Sequence, residues 1–261
     1  MRVSTGKGIS FFSLLGAAAV LVAWQIIAQR VPGALPGLVA IGNSLVLLSE
    51  SGELWRQLSL SLLRALTGLA VGAVLGAALG VVAGFVRPIY YLLKPFVGVL
   101  LSSPAVVVVM LAMVWFGVGP FMAIFVTALF TVPIMYVSVA EGMGLVEADL
   151  LEMASVYRLP RWNLWWDIYL PALSTAVLTG LAFAAGTAFR KTVMAELLGS
   201  NDGIGFAMAM TRFNLDTARL FAWVAVCLVV AGAIQYILIT PIAWYLRSWR
   251  TVDRNAGGAY E

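Results

Sequence analysis

Apolar runs of about 20 residues alternate with short polar breaks along almost the whole chain, and a run of that length crosses a bilayer as a helix. The pattern predicts about six spans. The first covers about Ser10 to Ala28 and closes at Arg30-Val31-Pro32-Gly33. No small-x-small cleavage site follows at Trp24-Gln25-Ile26-Ile27, so it reads as a retained span and not a signal peptide. Residues 33–56 set Pro36, Asn43, Glu50, Glu53 and Arg56 among leucines and valines, which predicts an interfacial amphipathic segment. Further spans follow at about Leu58–Val86 and at Pro95–Phe116, bent near Ser102-Ser103-Pro104. The fourth runs from the tight Gly117–Pro120 loop to about Ala140, the fifth ends near Phe189, and the sixth covers about Leu220–Leu246. Residues 190–216 read as a semi-polar connection.

Between Ala140 and Ile168 lies a polar island holding Glu141, Glu147, Asp149, Glu152, Arg158, Arg161 and Asp167, in a chain only 11% charged. Charges concentrated in one loop of a membrane protein point to contact with something in water. Leu150, Met153, Ala154 and Tyr157 recur at steps of three and four, which predicts a short amphipathic helix over Glu147–Leu159. Pro160 ends it. A second helix starts near Arg161 and enters the membrane, with Trp162, Trp165 and Trp166 at headgroup level and Pro171 bending it one turn in.

Two ladders of small residues stand at four-residue spacing, Gly68, Gly72, Gly76, Gly80 and Gly84, and Ala172, Ala176, Gly180, Ala184 and Ala188. Such spacing lets helix backbones approach closely in lipid. The first ladder is expected to pack on a neighbour in the same chain. The second either does the same, lies at a homodimer seam, or flanks a moving helix.

Composition agrees on class and removes several chemistries. The chain is 62% hydrophobic with a mean hydropathy of +0.98, far above soluble domains. Cys227 is the one cysteine and there is no histidine, which excludes a disulfide framework and disfavours metalloenzyme and hydrolase readings. The +4 net charge forms no basic cluster, so nucleic acid is not an expected partner. With both termini cytoplasmic, Arg2, Lys7, Arg87, Lys94, Arg158, Arg161, Arg247, Arg250 and Arg254 fall on the inner side, nine of 16 basic residues.

Glu152-Met153-Ala154, followed after a nine-residue stretch from Leu159 by Ile168-Tyr169-Leu170-Pro171, resembles the EAA loop of binding-protein-dependent ABC importer permeases. Arg158 stands at the family's glycine, so the helix is predicted to run on to Leu159 instead of turning. Ser51-Gly52-Glu53-Leu54-Trp55, Trp115-Phe116-Gly117-Val118-Gly119, and Ala195-Glu196-Leu197-Leu198-Gly199 with Gly203-Ile204-Gly205 are similar to the nitrate/sulfonate/taurine-type subfamily, over roughly residues 37–250.

The resemblance implies an all-α type I ABC importer permease fold in a bacterial inner membrane. An N-terminal helix and interfacial segment (1–56) would precede a permease core (57–250) with a coupling loop (141–167), and a cytoplasmic tail (251–261) would follow. It implies an ATPase dimer inside, carrying ATP and magnesium, a solute-binding protein outside, a second permease copy, and no cofactor on this chain. Glu152, Met153, Ala154, Tyr157, Arg158, Arg161, Ile168, Leu170 and Pro171 would contact the ATPase. Arg190, Lys191, Glu196, Gly199, Gly203 and Gly205 are either snorkelling or paired residues at a span end, or part of a gate in which 192–210 enters the membrane and the basic pair meets an anionic solute. The resemblance implies inward transport by alternating access of a small solute, either a sulfonate- or nitrate-like anion or an uncharged heterocycle. Gly203-x-Gly205 is not a phosphate loop, as no Walker lysine and serine follow. The other functional class is an ion-gradient-driven transporter or channel. It predicts intramembrane carboxylates or an inverted repeat, whereas the carboxylates here are expected in loops.

Overall fold

Among residues 8–30, 35–146 and 148–256, which the computed structural model describes, every regular element is a helix. Helix α1 (Gly8–Arg30) leads to α2 (Leu38–Glu50) and the long α3 (Glu53–Phe85). Helices α4 (Arg87–Ser102), α5 (Ala105–Phe116) and α6 (Pro120–Gly144) follow. The polar island holds α7 (Ala148–Val156) and α8 (Arg161–Asn163). A π-helical stretch, Leu164–Tyr169, joins α8 to α9 (Leu170–Gly199), and α10 (Ile204–Phe213) and α11 (Thr217–Ala256) complete the chain. Four helical stretches are long and apolar enough to span, within α3, α6, α9 (Leu173–Gly199) and α11 (Thr217–Ile237). The pair α4 and α5 makes a fifth candidate if counted as one.

Two expectations are corrected. The span placed at Pro95–Phe116 is helical from Arg87 and broken, with α4 and α5 bent by 103°. Pro104 disfavours helix at the residue before it, and Ser103 is extended with ψ 133. The fifth span does not stop at Phe189 but continues to Gly199. The sixth expected span coincides with α11. Helix α1 coincides with the first expected span, but its side chains before Leu15 lie outside the described residues, and its counted part, Ala18–Arg30, is short. Gln25 Oε1 accepts from the Leu38 amide at 3.0 Å and Trp24 Nε1 donates to the Pro36 carbonyl at 3.1 Å, tying α1 to the start of α2.

Helix α6 is the centre, packed between α3 and α9. The glycine ladder on α3 explains the first contact step by step. A Cβ on Gly68, Gly72, Gly76, Gly80 or Gly84 would stand 2.5–2.8 Å from Thr127, the Ala128 carbonyl, the Val132 carbonyl, Val139 and Met143 in turn. The ladder therefore packs within the chain, as expected. The second ladder does so too from Ala176 onward. Ala176 meets Gly142, a Cβ on Gly180 would meet Ser138 at 2.7 Å, and Ala184 and Ala188 are buried. The side chain of Ala172 lies outside the described residues. Thr127 and Thr192 hydroxyls meet at 2.7 Å and add a polar tie between α6 and α9, of the kind that joins helices where water is absent.

Candidate functional site

The polar island folds as two helices at a break, with α7 shorter than the sequence suggested. It has nine residues, against the expected Glu147–Leu159, and Glu147 lies outside the described residues. Among its described side chains Ala154 is buried at 2% exposure, while Leu150, Met153 and Val156, with Tyr157 just beyond, are 40–74% exposed. Glu152 is exposed beside them. A short helix that turns Leu150, Met153 and Val156 outward has not buried them within its own chain.

The end of α7 overturns the expectation for Arg158. The helix does turn there, with Arg158 in the left-handed region at φ 50. The Leu159 amide donates to the Ala154 carbonyl at 3.0 Å and the Arg158 amide to Ser155 at 3.1 Å. This bond pair is a Schellman cap. Closing the last turn outweighs the left-handed penalty that made arginine look incompatible. Arg158→Gly is therefore expected to tighten the α7 terminus by about 1 kcal/mol, seen as slower amide exchange at 158 and 159.

Past the turn, the Pro160 carbonyl accepts from Asn163 and Leu164 at 3.0 and 3.2 Å, so Pro160 ends one helix and starts the next. The side chain of Arg161 lies outside the described residues. The Leu170 amide reaches back to Trp165, an i to i−5 bond. Pro171, exposed in the first turn of α9, has no amide to continue the ladder. The distortion that the proline was expected to cause thus falls just before it, as a π stretch. Phe85 at the end of α3 holds this stretch, its ring centre 5.4 Å from Trp165 and 5.1 Å from Tyr169. Ile168 is half-buried and Leu170 exposed.

A buried polar node lies far from α7. Arg64 Nη1 donates to Glu196 Oε1 at 2.9 Å, Ser200 Oγ at 3.1 Å and the Asp202 carbonyl at 2.9 Å, and Nη2 pairs with the Asp202 carboxylate. Ser61 donates to Glu196 Oε2 at 2.6 Å. The first amides of α10 are all accepted by side chains, Gly203 by Gln57 at 2.6 Å, Ile204 by Ser61 at 2.8 Å, and Gly205 by Glu196 at 3.2 Å. These satisfy donors that a helix start leaves open. Gly203 has φ 97, and a Cβ there would collide with the Glu196 carboxylate. Gly205 faces the Val193 carbonyl, and Gly199 lies against Met122 and Met113 while its carbonyl accepts from Gly119 at 3.1 Å. The glycines thus fit backbone and carboxylate closely. Ser61 lies 24 residues before Phe85 on α3, about 36 Å along the helix and close to one bilayer thickness. The node and the polar island therefore lie at opposite ends of the helix bundle.

This corrects the expectation that carboxylates sit only in loops, because Glu196 is on a span helix and 1% exposed. Arg64 was missed, although it is the only charge between Arg56 and Arg87, which is itself a signal. The named polar atoms of the node find partners within the chain, so the node fastens α10 to α3 and α9. Among the described residues no group of metal-ligating side chains is assembled.

Arg190 and Lys191 are not brought together. Lys191 lies over the Phe130 ring at 4.3 Å, a cation–π contact, while Arg190 is exposed and donates to Gln235 Oε1 at 3.2 Å. Thr175, Thr179, Phe183, Thr187 and Arg190 follow one another at steps of three or four along one face of α9. At its α7 end this face borders a hollow of about 360 Å³ walled by Ser138, Glu141 and Thr179. The Thr179 and Thr187 hydroxyls bond back to carbonyls of α9 at 2.8 and 2.9 Å, and an exposed arginine on a span face suits a water-filled passage better than lipid.

The family model described as "Binding-protein-dependent transport system inner membrane component" matches residues 57–246. The chain is 33% identical over 209 residues to the putative aliphatic sulfonates transport permease protein SsuC of Escherichia coli K12, covering 80% of this chain and 76% of that one. It is 31% identical over 240 residues to the protein of the same description from Bacillus subtilis 168, covering 91% and 87%. The taurine transport system permease protein TauC of Escherichia coli K12 is 26% identical over 182 residues, covering 70% and 66%. A chain from inward-facing structures of the MetNI methionine ABC transporter has the same fold, with a TM-score of 0.55 at 15% identity, covering 72% of this chain and 92% of that one.

Proposed function

The chain belongs to the binding-protein-dependent transport system inner membrane components, and on that premise we propose that it moves a small organic anion of the sulfonate class inward by ATP-driven alternating access. It is a multi-pass membrane permease of an ABC importer, a transport subunit and not an enzyme. The sulfonate class is carried over from the names of the relatives.

The observation that carries the coupling is α7, with Leu150, Met153, Val156 and Tyr157 presented to solvent around Glu152. This surface fits a groove on an ATPase subunit, where Glu152 forms a charge-assisted hydrogen bond and the apolar side chains are buried. The α7 end faces the cytoplasm and the Arg64 node faces outward. Two copies assemble, each with one α7, on an ATPase dimer that holds ATP and magnesium, and a solute-binding protein delivers from outside. The ladders make α3, α6 and α9 one packed unit, so a displacement of α7 moves it as a rigid body. Solute passes along the Thr175–Arg190 face. Glu196, whose two oxygens are bonded to Arg64, Ser61 and Gly205, holds structure and does not relay ions. Uptake of labelled alkanesulfonate into vesicles bearing the full assembly tests this. It is expected to require internal ATP and to survive ionophores. Uptake that persists without ATP and collapses with an ionophore would establish the gradient-driven class instead.

A further inference from the structure

A second hollow lies between α9, α10 and α11, about 340 Å³ in volume and at the small end of the range that binds small molecules. Its walls are apolar, with Val193, Met194 and Leu197 on α9, Met208 on α10, and Leu228 and Ala231 on α11. Methionine walls adapt to the shape of what they enclose. The one charge on the lining is Arg190. Its guanidinium has five donors, the neutral Gln235 takes one contact, and no carboxylate among the described residues pairs with it. A guanidinium beside a greasy pocket on a span helix is matched by an anion that carries an apolar tail.

We propose that this hollow is a solute subsite for such an anion, with the head group on Arg190 and the tail between Val193, Met208 and Ala231. The proposal rests on the importer reading above and adds what the chain itself selects. A soluble alkanesulfonate is the occupant, in preference to a lipid tail, because Arg190 shares its helix face with Thr187, Thr179 and Thr175. The hollow therefore meets that hydroxyl-bearing face at Arg190, the residue common to both. That face links the subsite to the hollow at Glu141, 15 residues and about 22 Å further along α9.

The test is titration of the permease–ATPase complex, held in phosphatidylcholine nanodiscs, with ethane-, butane- and hexanesulfonate. Affinity is expected to rise about fourfold per added methylene. Arg190→Gln should weaken all three at least tenfold while keeping that slope, and Ala231→Phe should flatten the slope while keeping the anion requirement. Equal affinity along the series, or an Arg190→Gln complex that binds like wild type, overturns the subsite. Loss of sulfonate binding in phosphatidylglycerol nanodiscs assigns the hollow to lipid, and loss of one permease copy in Ala231→Phe assigns it to a subunit seam. Either result also overturns it. Failure of the wild-type chain to hold any ATPase subunit would instead defeat the importer reading, and the same titration on the permease alone still decides the subsite.

Discussion

Arg64→Ala is expected to cost about 3–5 kcal/mol, the usual penalty for breaking a buried ion pair from one side. The variant leaves the Glu196 carboxylate, 1% exposed, with hydrogen bonds from Ser61 and Gly205 and no counter-charge. It also strips donors from Ser200 and the Asp202 carbonyl. The start of α10 then loses its anchor, because Gln57 and Ser61 hold Gly203 and Ile204 only while the 200–203 turn stays in place. Arg64→Lys should recover part of the loss, since an ammonium lacks the planar fork that reaches both carboxylates. Arg64→Met combined with Glu196→Leu should recover more, because no charge is then left buried. Thermal unfolding in detergent checks the series. An Arg64→Ala protein that melts with wild type would mean that the node carries no stability.

The second large effect is expected at Gly76. A Cβ there stands 2.5 Å from the Val132 carbonyl oxygen and 2.8 Å from Met135, and backbone cannot step aside as a side-chain tip can. Gly76→Val must push α3 off α6. That also opens the contacts at Gly72 and Gly80, so the loss should exceed the ~1–3 kcal/mol of ordinary overpacking. The apolar surface exposed between the helices meets lipid, and close packing, not water exclusion, is what holds them. Gly98→Val is the control, because nothing lies within 4 Å of a Cβ at Gly98. A large drop in melting temperature for Gly76→Val and almost none for Gly98→Val is the expected contrast. Equal effects would mean that the ladder is not a contact surface.

Much of this was legible in the sequence. Long apolar runs define spans because backbone polar groups must pair within the helix, and the ladder spacing announced a close helix pair. The boundaries that failed did so for local reasons. The charges at Arg190 and Lys191 resembled a span end, but an amide partner and an aromatic ring let α9 continue to Gly199. At Arg158, intrinsic preference argued for more helix, while two capping hydrogen bonds favoured the turn. The node was hidden because Arg64 and Glu196 are 132 residues apart, and one chain's spacing does not reveal pairing at that distance. The subfamily motif did mark Glu196, Gly199, Gly203 and Gly205. Their shared reason, a carboxylate and a helix start in close contact, emerges only in three dimensions.

The coupling role of α7 is tested most directly with Glu152→Lys. The permease and its ATPase subunit are co-purified, and ATP hydrolysis by the complex is compared with that of the ATPase alone. Glu152 is exposed, so the variant should melt like wild type. It is expected to lose either the attached ATPase or the permease-dependent change in its hydrolysis rate. A Glu152→Lys permease that binds the ATPase and alters its rate as wild type does would contradict the docking of α7 and the transmission of ATP-driven closure through it.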